Sequence, residues 1–311
     1  MNNKFILTLD ASQVFLYQTC ALQWFYRYKE NLALDAEQAV APDKGTLIHE
    51  LLSIYYNLKL EQPKESHIYL GDLAIQKFKR EAFTKILFPQ DDGTLEDFLC
   101  QRFALYVSRW LNDDFTPLKD GIEVGFSHLL YEDSEVKFIL EGRIDLIHKI
   151  QDNLLCFTDH KTQSKRAYLY HYTPQFKTYA LVTGFEYGMI NYFGLQEDKS
   201  NKLLRSNDLF RRELIYFKPA MLDEWREKLI TTFTEIYSIL TANMTGSPEE
   251  LFYARRNDSA CQGFYNYPCH YTALCEEHNW EMKQRIKAFK YLKTLPWSPW
   301  EPKTNIEDII K

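Results

Sequence analysis

Residues 136–161 read VKFILEGRIDLIHKIQDNLLCFTDHK. Two runs rich in β-branched and aromatic residues flank the polar QDN at 151–153, so the stretch predicts an antiparallel hairpin. Asp145 interrupts an otherwise apolar strand, and Asp159-His160-Lys161 ends the next one. Residues i and i+2 of a strand project to one side, so Asp159 and Lys161 share a face. Across the turn, Asp145 approaches Asp159. Two close carboxylates repel unless a cation lies between them. Hard divalent ions, Mg²⁺ or Mn²⁺, favour such oxygen ligands. A lysine beside the ion stabilises charge on a phosphoryl transition state or helps deprotonate the attacking water. That chemistry suits phosphodiester hydrolysis. Taken alone, a D-x-K triplet is common and reads equally as a strand-end salt bridge.

Working outward, IEVGFSHLLY (122–131), EYGMINYFGL (186–195) and RELIYFK (212–218) predict further strands, the last two separated by a polar, lysine-rich loop at 196–210. Residues 174–184 predict a helix with Gln175 and Tyr179 four apart on one face. Upstream, four helices are expected: 12–30 with Ser12 as N-cap, 46–59 with a Leu47, Leu51, Ile54, Leu58 stripe, then 66–88 and 94–112 around the turn FPQDDG. A long helix follows from Pro219 to about Ala242, and residues 250–311 read as irregular. Helices, a strand meander, a helix, strands and a helix fit an α+β or mixed α/β core with a helical N-terminal extension.

The chain has 311 residues, 45% hydrophobic and 26% charged, which suffices for one large or two small packed domains. A net charge of −6 argues against a basic coat holding duplex nucleic acid by charge alone. Basic stretches at Lys77–Lys85, Lys161–Arg166, Arg205–Arg212 and Lys283–Lys293 each read as a solvated face. With 21 Tyr, 21 Phe and 6 Trp, aromatic rings are available both for a core and for stacking on bases. MNNKFILTLDASQ carries no cleavage site of the secretory kind, and no run of ~18 apolar residues occurs. A cytoplasmic location without membrane association is expected. Six cysteines in such a chain point away from disulfides and toward buried thiols or metal ligands.

The order of motifs resembles the RecB-like branch of the PD-(D/E)XK nuclease superfamily from about residue 12 to 275. The motifs are GTLIHELL with His49, GRID with Asp145, D-x-K with Asp159 and Lys161, and Q-x-x-x-Y with Gln175 and Tyr179. The resemblance implies a restriction-endonuclease-like fold with a mixed central sheet flanked by helices. It implies one domain over 1–311: a helical part at 1–118, a nuclease core at 119–245 and a Cys-rich segment at 246–311 closing on Cys20. His49, Asp145 and Asp159 would hold Mg²⁺ or Mn²⁺, Lys161 would be the catalytic lysine, and Gln175 and Tyr179 would support the site or touch DNA. Glu123 in GIEVGF matches a glutamate often found on the preceding strand. Alone, His49 and Tyr179 would read as core residues. Position 159 departs from the family, which more often has Glu, and Asp has the shorter reach.

Cys261, Cys269 and Cys275 lie in CQGFYNYPCHYTALC, and Cys20 lies in QTCALQW. Cluster-bearing RecB-like nucleases similarly carry one cysteine before the core and three after it, the last pair separated by five residues. Four thiolates suit a [4Fe–4S] cluster and also structural zinc. Cys100 and Cys156 sit in apolar settings and read as core.

The resemblance thus implies a DNA exonuclease acting on single strands or ends. Partners would come from helicase, recombination, repair or CRISPR-adaptation systems. No P-loop is present. A catalytically weak protein that binds DNA ends, and a sequence-specific endonuclease, are the competing functions.

Overall fold

The computed structural model describes residues 4–34, 44–82, 94–112, 115–150, 154–163, 173–195, 209–242, 248–262, 268–298 and 304–310. The turns FPQDDG and QDN, the 83–88 end of the expected third helix, most of the 196–210 loop and the basic residues Lys165, Arg166 and Arg205 lie outside them.

The strands are β1 (Phe5–Asp10), β2 (Leu32–Leu34), β3 (Thr116–Glu132), β4 (Val136–Ile150), β5 (Leu154–Gln163), β6 (Tyr187–Gly194), β7 (Phe210–Tyr216) and β8 (Tyr291–Lys293). The helices are α1 (Ala11–Thr19), α2 (Ala21–Trp24), α3 (Lys44–Glu61), α4 (His67–Lys77), α5 (Thr94–Arg109), α6 (Pro174–Thr183), α7 (Pro219–Thr241), α8 (Pro248–Tyr253), α9 (Thr272–Glu276), α10 (Trp280–Lys290) and α11 (Ile306–Ile310). Among the described residues, six strands form a mixed sheet in the order β1-β4-β5-β6-β7, with β3 also on β4. The expected mixed α/β architecture is present. The chain divides into two compact units, the first Met1–Val40, Ser127–Gly142 and Asp223–Glu301, the second Ala41–Phe126, Arg143–Leu222 and Pro302–Lys311.

The second unit carries the hairpin. β4 and β5 pair antiparallel from Ile150↔Leu154 up to Leu146↔Thr158. Adjacent residues of a strand face opposite sides, and two cores result. Leu146, Cys156, Met189 and Phe193 pack in the core of α3, α4 and α5. Ile147, Phe157, Ile190 and Tyr192 pack with α6 and α11. β5 and β6 run parallel, which requires a crossover, and α6 supplies it. Thr173 caps α6 through Phe176 N, and Pro174 occupies its first turn. Gly184, at φ 69, ends it in the left-handed conformation that glycine adopts without strain. Gly188 has a different cause: a Cβ there would stand 2.3 Å from the Phe157 ring.

In the first unit β1 runs parallel to the first half of β4, from Phe5↔Val136 to Asp10↔Glu141. The sequence pattern did not reveal this strand. Its end sets the next helix: Asp10, with extended backbone, accepts from Gln13 N at 2.7 Å. The cap is therefore Asp10 rather than Ser12, because the chain turns from strand into helix at that residue. The expected helix 12–30 is interrupted at Cys20, whose backbone is extended (φ −160, ψ 111). It resumes as α2 and closes in a wider π turn, Phe25–Lys29. Residues 250–311 are more regular than expected. They form the short helices α8–α11, and β8 pairs with β2 through Leu34↔Tyr291.

Candidate functional site

His49 projects from α3 between the buried Leu47, Ile48, Leu51 and Leu52, keeping a quarter of its side chain exposed. Its Nε2 lies 2.9 Å from the His160 carbonyl oxygen. A carbonyl only accepts, so Nε2 carries the proton and donates. Nδ1 then faces Asp145 Oδ2 at 3.5 Å. Such a second contact fixes the tautomer of a ligating imidazole.

Asp145 and Asp159 are the next residues outward from the last β4–β5 pair, Leu146↔Thr158. There the Asp145 carboxylate accepts the His160 N–H at 2.7 Å. Both aspartates are buried.

Glu123 joins them from β3. Its φ is +53, in the left-handed region, and Asp120 shares that conformation at φ +61. Non-glycine residues held there cost about 1–3 kcal/mol each, and such strain collects at functional sites. The donor atoms of His49, Glu123 and Asp145 all lie within 4.8 Å of one another, the only such group found among the described residues.

Among the described residues, a cation faces each carboxylate. Arg143 Nε is 2.9 Å from Glu123 Oε2, His49 Nδ1 faces Asp145, and Lys161 Nζ is 2.6 Å from Asp159 Oδ2. Gln175 closes the third pair: its Nε2 donates to Asp159 Oδ1 at 2.9 Å and its Oε1 accepts from Lys161 at 2.9 Å. The same Nε2 reaches Tyr179 OH at 2.9 Å, and Tyr179 OH donates to the Arg143 carbonyl. The structure thus brings Glu123, Asp145 and His49 into one donor group. Asp159, Lys161, Gln175 and Tyr179 form a hydrogen-bonded chain beside it.

The electrostatics follow from burial and crowding. Burial lifts Asp159 above the usual carboxylate range, Lys161 pulls it down and the Asp145 charge pushes it up. Burial and then Asp145 lift Glu123, against Arg143 and His49. Asp145 is held low: burial opposes its charge, but His49 and the His160 N–H outweigh burial. For His49, burial favours the neutral ring, yet Asp145, Glu123 and Asp159 lift it to about 9. Such a set neutralises its carboxylates with protons and cations, which a metal ion would have to replace. Two carboxylates and one imidazole fit a hard divalent ion.

Sequence reasoning passed over His160 and Arg143. The imidazole inside the D-x-K triplet and the arginine inside GRID were their signals.

The four cysteines expected to act together all line one cavity, with Gln23, Arg256 and Asn257. Cys20 enters at the α1–α2 break, Cys261 in the turn Asp258–Gln262, Cys269 just before α9 and Cys275 within α9. Cys269 N donates to the Cys261 carbonyl at 3.0 Å, and Asn257 Nδ2 donates to the Thr19 carbonyl at 2.9 Å. Burial and mutual proximity raise the Cys261, Cys269 and Cys275 thiols, Cys275 to about 12. Crowded thiols ionise together only around a cation; the four share this cavity, though no three of their sulfurs gather within the 4.8 Å that joins His49, Glu123 and Asp145. Cys100 and Cys156 are buried in the helical core of the second unit.

Among the described residues, several charges of the basic stretches are paired. Lys79 pairs with Glu96 and Asp97, Arg211 with Glu213, and Lys283 and Lys287 with Glu249.

A mixed sheet carrying this donor group is an architecture suited to metal-dependent phosphodiester cleavage. The model of the PD-(D/E)XK nuclease superfamily matches residues 8–276, and the chain belongs to that superfamily. Its nucleases use divalent metals, and nucleic acid is the substrate the fold implies. Among solved structures, one titled "Crystal structure of SSO0001" is similar at 15% identity, covering 64% of this chain and 93% of that chain, with a TM-score of 0.30. No curated protein matches by sequence.

Proposed function

We propose that this chain is a Mg²⁺- or Mn²⁺-dependent deoxyribonuclease of the RecB-like branch, acting as an exonuclease on single-stranded DNA or DNA ends. The observation that carries the reading is the grouping of His49, Glu123 and Asp145 within 4.8 Å, beside the Asp159–Lys161–Gln175 chain. His49 Nδ1, Glu123 and Asp145 would hold the ion. When bound, it supplies a Lewis acid and lowers the pKa of its water. Lys161, fixed by Asp159 and Gln175, places positive charge where a phosphoryl oxygen becomes more negative. Tyr179 anchors Gln175 and thereby the lysine. The aromatic-rich composition and net charge of −6 favour strand ends read by stacking over duplex held by charge.

Digestion of end-labelled single- and double-stranded DNA with Mn²⁺ tests the reading. Product ladders from an end, with closed circular DNA spared, support it. Cleavage of circles points to an endonuclease instead.

A second reading rests on Asp159, whose carboxylate is engaged by Lys161 and Gln175. A chain in which this short side chain stays engaged would bind DNA ends without cutting them. Binding without product across an Mn²⁺ titration would favour it.

The cysteine cavity would hold a [4Fe–4S] cluster, which binds four thiolates. Anaerobically purified protein should be brown and contain iron. Colourless protein with stoichiometric zinc would replace the cluster by a zinc centre.

A further inference from the structure

The backbone of His160 touches two of the three donor residues. Its N–H is 2.7 Å from Asp145 Oδ2, and its carbonyl accepts from His49 Nε2 at 2.9 Å. The backbone of this one residue, through the two peptides that flank its Cα, therefore sets the Asp145 carboxylate and the direction of His49 Nδ1. The side chain of His160 points to the opposite side of the strand from Asp159. There its ring stacks on Tyr56, with centroids 5.9 Å apart and planes within 4°. Asn191 stands opposite it on β6 and approaches His160 Nδ1 with its Nδ2 at 2.9 Å. An amide nitrogen only donates, so Nδ1 accepts.

Asn191 is fully buried and is itself held. Its Nδ2 also donates to Tyr106 OH at 3.0 Å, and Arg212 reaches its Oδ1 at 3.4 Å. Arg212 donates to Tyr106 OH at 3.0 Å and lies over the Trp110 and Phe115 rings at 4.1 and 3.8 Å. Buried, satisfied polar networks of this kind rigidify what they hold.

We propose that His160 and Asn191 are positioning residues for the metal site. They act from the face of the strand opposite Asp159, where the His160 ring also meets the His49 ring edge-on at 5.8 Å, by fixing the His160 backbone N–H and C=O that orient Asp145 and His49. This rests on the metal-binding reading of those two residues. Partners of metal ligands typically contribute about 10–100-fold in affinity.

The test is Mn²⁺ binding, by titration calorimetry and by the loss of the free-ion paramagnetic resonance signal. It compares wild type, Asn191→Asp and His160→Phe at one pH, with thermal melts alongside. Asn191→Asp keeps the volume and the Arg212 contact but offers His160 an acceptor in place of a donor. His160→Phe keeps the stacking on Tyr56 and removes the ring nitrogen. In folded protein we expect about 10-fold or greater weakening of Mn²⁺ affinity in both. Melting-point losses with unchanged affinity would mean a purely structural role and would overturn the proposal. Absence of Mn²⁺ binding by wild type would overturn the metal reading and the proposal with it.

Discussion

Lys161 Nζ and Asp159 Oδ2 stand 2.6 Å apart on one face of β5, and Gln175 bridges them from α6. A lysine tied at two points is held in one place beside the donor group. Lys161→Ala is expected to lower metal-dependent cleavage by about 10²–10³-fold, the usual cost of removing one group that stabilises developing charge. Mn²⁺ binding should persist. Single-turnover cleavage of a labelled strand measures the first effect and calorimetry the second. Undiminished cleavage by a contaminant-free preparation would remove Lys161 from the mechanism.

Metal uptake should release protons. His49 is raised to about 9, and Glu123 lies above its ordinary range. His49 holds a proton at pH 6 and Glu123 is shifted toward its protonated form, and a metal ion must displace such protons. Apparent Mn²⁺ affinity is therefore expected to rise from pH 6 to pH 9. Calorimetry in buffers of different ionisation heat counts the protons released. Affinity independent of pH would show that the ion does not engage His49.

The thiol cavity predicts a split among the six cysteines. Cys261→Ser or Cys269→Ser should strip the bound metal and lower the melting temperature, because both line the shared cavity. Cys100→Ser should retain the metal, since Cys100 packs among the helices of the second unit. Elemental analysis alongside thermal melts reads both effects.

Glu249 on α8 is the hub of a buried ion group. Tyr26 OH and Lys283 reach its Oε1 at 2.9 Å each, and Lys287 reaches Oε2 at 3.1 Å. Burial lifts the Glu249 carboxyl, but Lys283, Lys287 and Tyr26 outweigh burial and hold it below its ordinary 4.5. A depressed carboxylate contributes stability that is present above the unfolded value, here near 4.5, and lost as pH falls through the folded value. Glu249→Gln leaves Lys287 with Glu30 as its carboxylate partner, at 3.3 Å, and should cost roughly 1–3 kcal/mol at neutral pH. Denaturant midpoints between pH 3 and 7 check it: the variant's loss should shrink toward the acid end.

Much of the site was legible because its decisive spacings are local. A strand sets Asp159 and Lys161 on one side whatever surrounds it, and a helix sets Gln175 beside Tyr179. The Asp145–Asp159 approach needed only the short hairpin. β1 was not legible. It has six residues, and its partner begins at Val136, with the parallel register supplied by neither a turn nor a hairpin. The short elements after residue 248 escaped for the same reason, β8 finding its partner at Leu32–Leu34.

Glu123 shows the other limit. Residue pattern placed it on a strand near the hairpin, but its place in the donor group goes with a left-handed backbone at φ +53 and an Arg143 guanidinium 2.9 Å away. The sequence by itself determined which residues share a face of β5 and of α6, since periodicity is a property of the local chain. Only the tertiary structure decided that His49 and Glu123 meet Asp145 while Asp159 turns to Lys161 and Gln175. Those contacts depend on how elements far apart in the chain pack, and packing is settled by the whole core rather than by any one segment.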